Sequence, residues 1–161
     1  MDVTGVTNPA EATAQFSILG VIGILITIWP AGYLTDKVGR KPITMTACLI
    51  GVVGITVIFL SQNFSTILIA SGIIGIAVGS FYSANWALAT DLVPKNEEAR
   101  YLGLVNIATA GGATIARLIG PVIDTLNSYR MGWGYKTMLL LCIFYLVVGV
   151  LLMLKVGNKK E

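Results

Sequence analysis

Four stretches of the chain carry no charged residue, at 12–35, 42–90, 101–116 and 137–154, and each is built of apolar and small side chains. A helix that crosses a ~30 Å hydrocarbon core needs about 20 such residues, so the pattern predicts membrane spans. The stretch 42–90 is too long for one crossing, and Ser61-Gln62-Asn63-Phe64-Ser65 supplies the polar turn that divides it. The predicted architecture is all-α: a polytopic bundle of five spans over 9–35, 42–61, 65–91, 99–124 and 136–155, in one membrane domain over 1–161. Spans two and three form a tight hairpin. Pro94 ends the third span by disfavouring helical geometry at the residue before it, and Glu97 and Glu98 suit the positive N-terminus of the fourth.

Composition agrees. Of 161 residues, 55% are hydrophobic and 12% charged, against ~25% charged in ordinary soluble domains, which excludes a soluble fold. Cys48 and Cys142 each sit in an apolar run and are expected as free, buried thiols rather than a disulfide framework. A net charge of +3 does not indicate a nucleic-acid partner, because the few basic residues flank the spans instead of sharing a soluble face.

Those bases instead report orientation, since Lys and Arg are retained on the cytoplasmic side. Lys37, Arg40 and Lys41 lie between spans one and two, Lys95 and Arg100 between three and four, and Lys155, Lys159 and Lys160 after five. The other side holds only Arg130 and Lys136. The C-terminus is therefore expected in the cytoplasm and the N-terminus outside, in a cell (plasma or inner) membrane. Residues 1–10 lack the Lys or Arg of a secretory leader, so the first span is expected to be retained. An exterior N-terminus with an odd number of spans suggests further sequence upstream.

Two stripes of small residues recur at every fourth position: Ser71, Gly75, Gly79, Ser83 and Ala87 on the third span, then Ala108, Gly112, Ala116 and Gly120 on the fourth. Small side chains let helix backbones approach closely in lipid, so both are expected as packing surfaces. Glycine there also permits bending.

The most informative segment is Gly32-Tyr33-Leu34-Thr35-Asp36-Lys37-Val38-Gly39-Arg40-Lys41-Pro42, a two-glycine turn with one acid and three bases between two spans. Read from residue types alone, it is a topology anchor or something more specific, because Arg40 can make a forked pair with a carboxylate. Its Gly32, Leu34, Asp36, Gly39, Arg40 and Lys41 closely resemble the G-x-L-x-D-x-x-G-R-K signature of the major facilitator superfamily, which carries it between helices 2 and 3 and in weaker form between helices 8 and 9. Asn85-Trp86-Ala87-Leu88-Ala89-Thr90-Asp91-Leu92-Val93-Pro94, followed by Ala99-Arg100-Tyr101-Leu102-Gly103-Leu104, is similar to the family's connection between helices 10 and 11. The halves of such transporters are related by pseudo-symmetry, so five spans resemble helices 2 to 6 or 8 to 12. The third span lacks the arginine-containing signature of helix 4, and Gly120-Pro121 is followed by Asp124 rather than the paired glycines of helix 5, which favours the C-terminal half.

The resemblance implies a secondary transporter that carries a small-molecule substrate by alternating access. It implies that Gly32, Asp36, Gly39, Arg40 and Lys41 form a cytoplasmic gating loop, with Asp91 and Arg100 as companions of Arg40 and Asp36. It also implies partners beyond the lipid bilayer, either the missing N-terminal half or another copy of the chain. The rival reading is a non-transporting membrane protein that associates with other helices through its small-residue faces.

Candidate pathway residues are Tyr82, Asn85 and Trp86, which share a face of the third span by their spacing, with Asn106 and Arg117 on the fourth. For Asn85 and Asn106 two readings stand: a hydrogen bond between helices, or the lining of a cytoplasmic cavity. Arg117 is the one charge inside a span, about 10 Å from its outer end at ~1.5 Å per residue; it either snorkels to the interface or faces the cavity as an anion-attracting group. Tyr129, Trp133 and Tyr135 read as interfacial aromatics. The chain has no His and no mid-span Asp or Glu, and therefore no proton-relay residue of its own. No phosphate-binding loop, metal-ligand cluster or activated nucleophile is found, so no enzyme, cofactor or metal is expected.

Overall fold

In the computed structural model of the chain the described residues are 8–91, 93 and 97–155, and their regular structure is entirely helical. Pro94, Lys95, Lys159 and Lys160, which entered the sequence reading above, lie outside these residues. Six helices follow one another: α1 (Pro9–Val38), α2 (Arg40–Leu60), α3 (Phe64–Asp91), α4 (Glu98–Arg117), α5 (Gly120–Tyr129) and α6 (Trp133–Lys155). Among the described residues five spans are long and apolar enough to cross a membrane, with α4 and α5 together making the fourth, Ala99–Tyr129.

Local chemistry sets the helix ends. Asn8 caps α1, its side chain accepting from the Ala10 and Glu11 N–H groups, while Pro9 occupies the first turn, where a missing N–H costs nothing. Ser61 closes the α2–α3 hairpin by accepting from the Asn63 N–H at 3.3 Å and donating to the Asn63 carbonyl at 3.1 Å. The fourth span is interrupted at Leu118 and Ile119 and runs on to Tyr129, past the expected end at Asp124. Pro121 explains the break, because it cannot donate to the Arg117 carbonyl and its ring crowds that group. The chain tightens there, Leu118 bonding back three residues to Ile115 at 3.1 Å before Ile123 resumes helical bonding to Ile119 at 2.9 Å.

Between α5 and α6 the turn is organised by one side chain. Asn127 Oδ1 accepts from the Gly132 N–H at 3.1 Å and the Gly134 N–H at 3.0 Å, and Gly132 adopts a positive φ of 87°. Asn127→Ala strands both donors and is expected to lower stability by about 1–3 kcal/mol, read as an earlier thermal transition in detergent; an unshifted transition refutes this role.

The interior of the bundle is made of small residues. Its buried apolar positions are Ala31, Ala47, Cys48, Ala70, Ala77 and Ala84, joined by Thr35, Thr44, Ser71 and Ser80, while large side chains such as Leu25, Ile26 and Trp29 point outward. Lipid tails solvate Leu and Ile as well as a protein core does, so close backbone packing becomes the main attraction between helices. Cys142, expected to be buried, is exposed on α6, because an apolar run in a span need not face the bundle.

The first stripe packs as expected, with α3 lying against α1 along it. A Cβ on Gly79 would come within 2.9 Å of the Ile24 carbonyl, and one on Gly75 would strike the Gly20 carbonyl. From the α1 side, a Cβ on Gly23 would lie 2.6 Å from the Gly72 carbonyl. Ser71 Oγ donates to the Phe16 carbonyl at 2.5 Å across the same seam. Helix α2 covers another face of α3 through Gly54 beside Ile74, and meets α6 where Gly51 faces Leu146. The second stripe behaves differently: a Cβ added to Gly112 or Gly120 would meet nothing beyond its own stretch of helix within 4 Å, and no described residue of α4 is buried. Helix α4 leans only lightly on α3, and none of the described residues covers its small-residue face.

Candidate functional site

The two-glycine segment is less a loop than a reversal at one residue. Helix α1 continues through Val38 and α2 begins at Arg40, so Gly39 alone separates them, with φ of 104°, a conformation that side-chain-bearing residues rarely adopt. Its N–H closes α1 on the Thr35 carbonyl at 3.1 Å. Asp36 and Lys37 therefore lie in the last turn of α1, and Arg40 and Lys41 in the first turn of α2. Lys37 sits 4.4 Å over the Tyr33 ring, and Gly32 lets α1 approach Ser83 of α3, whose Oγ would be 3.2 Å from an added Cβ.

From this corner two cations reach other helices. The Arg40 guanidinium donates to the Ala87 carbonyl, 47 residues away and one turn from the end of α3. Lys41 Nζ donates to the Leu154 carbonyl in the last turn of α6 at 3.4 Å. The C-terminal ends of helices carry partial negative charge and unpaired carbonyls, so a cation is well matched there. Thr90 Oγ donates to the same Ala87 carbonyl at 2.9 Å. The corner between α1 and α2 is thereby tied to the ends of α3 and α6.

Other members of the sequence-derived set are placed differently. Asp36 is exposed and makes no ion pair among the described residues; Arg100 is held by Glu97 three residues earlier, at 3.4 Å. The Asp91 side chain lies outside what the structure describes. Tyr82 and Trp86 share an exposed face of α3, whereas Asn85 is half-buried and lines a cavity of about 290 Å³ with Leu88, Ala89, Tyr101, Val105 and Met153. Asn106, next to Val105, is exposed and not bonded to Asn85. Arg117 is exposed at the last position of α4, immediately before the break, with Asp124 on the following helix. Tyr129, Trp133 and Tyr135 are exposed at the other end, where Arg130 stacks 5.2 Å from the Trp133 ring.

Sequence reasoning did not anticipate Ala87 and Leu154 as the acceptors. Both act through backbone carbonyls, which every residue possesses, so no residue type marks them.

The seams, the spans and the clamped corner together define a multi-pass helical membrane protein. The chain belongs to the Major Facilitator Superfamily, whose profile matches residues 5–161. It is 33% identical over 116 residues, 72% of its length, to the minor myo-inositol transporter IolF of Bacillus subtilis, and covers 26% of that protein. It is similar to the multidrug resistance protein MdtL of a Shewanella species, 31% identical over 77% of this chain and 30% of the relative. It also resembles the arabinose-proton symporter of Bacillus subtilis, 30% identical over 77% of this chain and 25% of the relative. The chain thus spans between a quarter and a third of the length of these relatives. Its family is one of transporters and not of enzymes.

Proposed function

We propose that this chain is the C-terminal part, equivalent to helices 8 to 12, of a secondary transporter that moves a small solute across the cell membrane by alternating access. It forms one membrane domain, with the clamped corner on the cytoplasmic side together with the C-terminus, and the N-terminus outside. The other helices, about seven in a fold of two six-helix halves, come from more of the same polypeptide, from a separate chain or from another copy. Two departures from the family's N-terminal pattern, in the third span and after Gly120-Pro121, support the choice of half.

The observation that carries the reading is the corner itself. A single positive-φ glycine joins two spans, and the two cations after it hold the ends of two more. Such a tie keeps four helix ends together in one state and must be released for that end to open. Asp36 and Arg100, unpaired with each other here, are available as partners in the alternate state, and Asp91 stands at the matching end of α3. Tyr82, Asn85, Trp86, Asn106 and Arg117 are the candidate pathway residues. The relatives named for myo-inositol, arabinose and multidrug resistance support a small-molecule substrate without selecting among sugars, polyols and drug-like compounds.

Uptake into liposomes tests the proposal, with the chain alone and with the remaining helices supplied. Uptake is expected only in the second case; a complete assembly that moves none of the three solute classes would sink it. The uncovered glycine face of α4 favours a second reading, association with other membrane helices without transport. Stable complexes that carry no solute would support that one.

A further inference from the structure

The carbonyl that receives Arg40 is addressed by more donors than it can serve fully. Ala87 lies four residues before Asp91, the last residue of α3, so helix geometry directs the Asp91 N–H at it. The Arg40 guanidinium reaches the same oxygen from α2, and Thr90 Oγ donates to it at 2.9 Å from within α3. A carbonyl oxygen offers two lone pairs. With three donors sharing them, each bond is weaker than it would be if one of the others left.

The Thr90 hydroxyl has a second acceptor at hand. Its Oγ also donates to the Trp86 carbonyl, at 3.2 Å. Threonine in a helix reaches carbonyls three and four residues back in this way, and a hydroxyl hydrogen turns about its C–O bond to suit either. The bond can therefore pass between Trp86 and Ala87 with no change in the backbone. While Arg40 holds Ala87, the share of that oxygen left to the hydroxyl is small and Trp86 takes part of the bond. Once Arg40 leaves, the hydroxyl takes its place. Thr90 thus contributes more to the released corner than to the clamped one.

We propose that Thr90 is a positioning residue for the clamp: a stand-in donor that fills the Ala87 carbonyl when Arg40 lets go and so eases release. The inference rests on the reading of the corner as a tie that opens and closes. Thr90 acts through Arg40 and the shared carbonyl, without contact to the transported solute. Thr90→Val keeps the β-branched shape and deletes only the donor, so the released state loses more than the clamped one and the tie tightens. The released population is expected to fall about two- to tenfold, the worth of one neutral hydrogen bond. The sign is diagnostic, because a residue that merely supported the end of α3 would loosen the corner when altered.

The test is the rate at which a small methanethiosulfonate reagent labels Thr44→Cys in the purified chain, with Cys48→Ala and Cys142→Ala removing the native thiols. Thr44 is fully buried, one turn into α2 on the Arg40 face, so its labelling reports the released population. Thr35→Cys, at a buried position in the last turns of α1, is the second reporter should the first fail to fold. Thr90→Val is expected to slow labelling about two- to tenfold. Thr90→Ser keeps the hydroxyl and should label like the unaltered residue, while Arg40→Ala should label faster. Added to Arg40→Ala, Thr90→Val should have no further effect, because Ala87 then has the same donors in both states. Unchanged or faster labelling in Thr90→Val, with Arg40→Ala still fast, would overturn the proposal and leave the clamp standing, as would equal slowing in the Arg40→Ala background. Unchanged labelling in Arg40→Ala would overturn the clamp itself and this inference with it.

Discussion

Replacing Gly75 by leucine is expected to destroy the α1–α3 seam and with it the folded bundle. The hydrogen at that position already faces the Gly20 carbonyl, and a Cβ there would overlap the Gly20 backbone of α1. Backbone cannot rotate aside as a side chain can, so the helices must separate along the whole stripe from Ser71 to Ser83. The penalty is expected at or above ~3 kcal/mol, the upper part of the range for overpacking. It should be visible in detergent as loss of a single elution peak and of the cooperative thermal transition. Gly112→Leu is the informative control. A Cβ added to Gly112 would meet no neighbouring helix within 4 Å, so the isolated chain should fold unchanged, while association with the remaining helices, if they cover α4, should fail. A monodisperse, normally melting Gly75→Leu protein would show that the seam is not what holds α1 to α3.

The second large effect is expected at Arg40. Arg40→Ala removes the bond to the Ala87 carbonyl, a side-chain tie between the α1–α2 corner and α3. Hydrogen bonds with a charged donor are worth about 1.5–3 kcal/mol, so the balance between the clamped and released states should shift by about 10- to 100-fold. In a complete transporter, uptake should fall by a similar factor while membrane insertion is retained, and a cysteine label at the clamped end should react faster. Asp36→Asn should also impair uptake without preventing insertion, through the alternate-state pairing proposed for that carboxylate. Normal uptake by both variants would leave the corner as a topology anchor only.

Much of the fold was legible in the order of residues because the bilayer leaves few choices. A stretch without charges, long enough to cross, must be a helix, and the boundary between α2 and α3 follows from a polar run that cannot sit in lipid. The stripe from Ser71 to Ala87 announced a packing surface on α3 for the same reason, since only small side chains permit backbones to meet. The stripe from Ala108 to Gly120 has the same spacing in sequence, yet none of the described residues covers its face. Spacing reports that a helix can be approached closely; it does not name the approaching partner.

The candidate site was legible in part. Gly39, Arg40 and Lys41 stood out by type and spacing, as a two-glycine turn with bases between two spans. The carbonyls of Ala87 and Leu154 that receive the two cations carried no mark, because a backbone acceptor is the same at every residue. The break at Leu118 was written in Pro121, although Gly120-Pro121 read first as a family comparison rather than as a missing hydrogen bond. Likewise the side-by-side placement of Tyr82, Asn85 and Trp86 held as spacing, while only packing separated the half-buried Asn85 from its two exposed neighbours.

By itself, then, the amino-acid sequence determined that this chain belongs in a membrane, how many of its segments are long and apolar enough to cross one, and which corner carries the family's charged signature. These follow from solvation, which acts on each segment locally and is strong enough to be read one segment at a time. Tertiary structure alone decided which glycine stripe is filled, which helix ends the two cations hold, and where α4 leaves a cavity against α3 and α6. Those depend on which backbones come within a few ångströms of one another, a property of pairs of helices that no single segment contains.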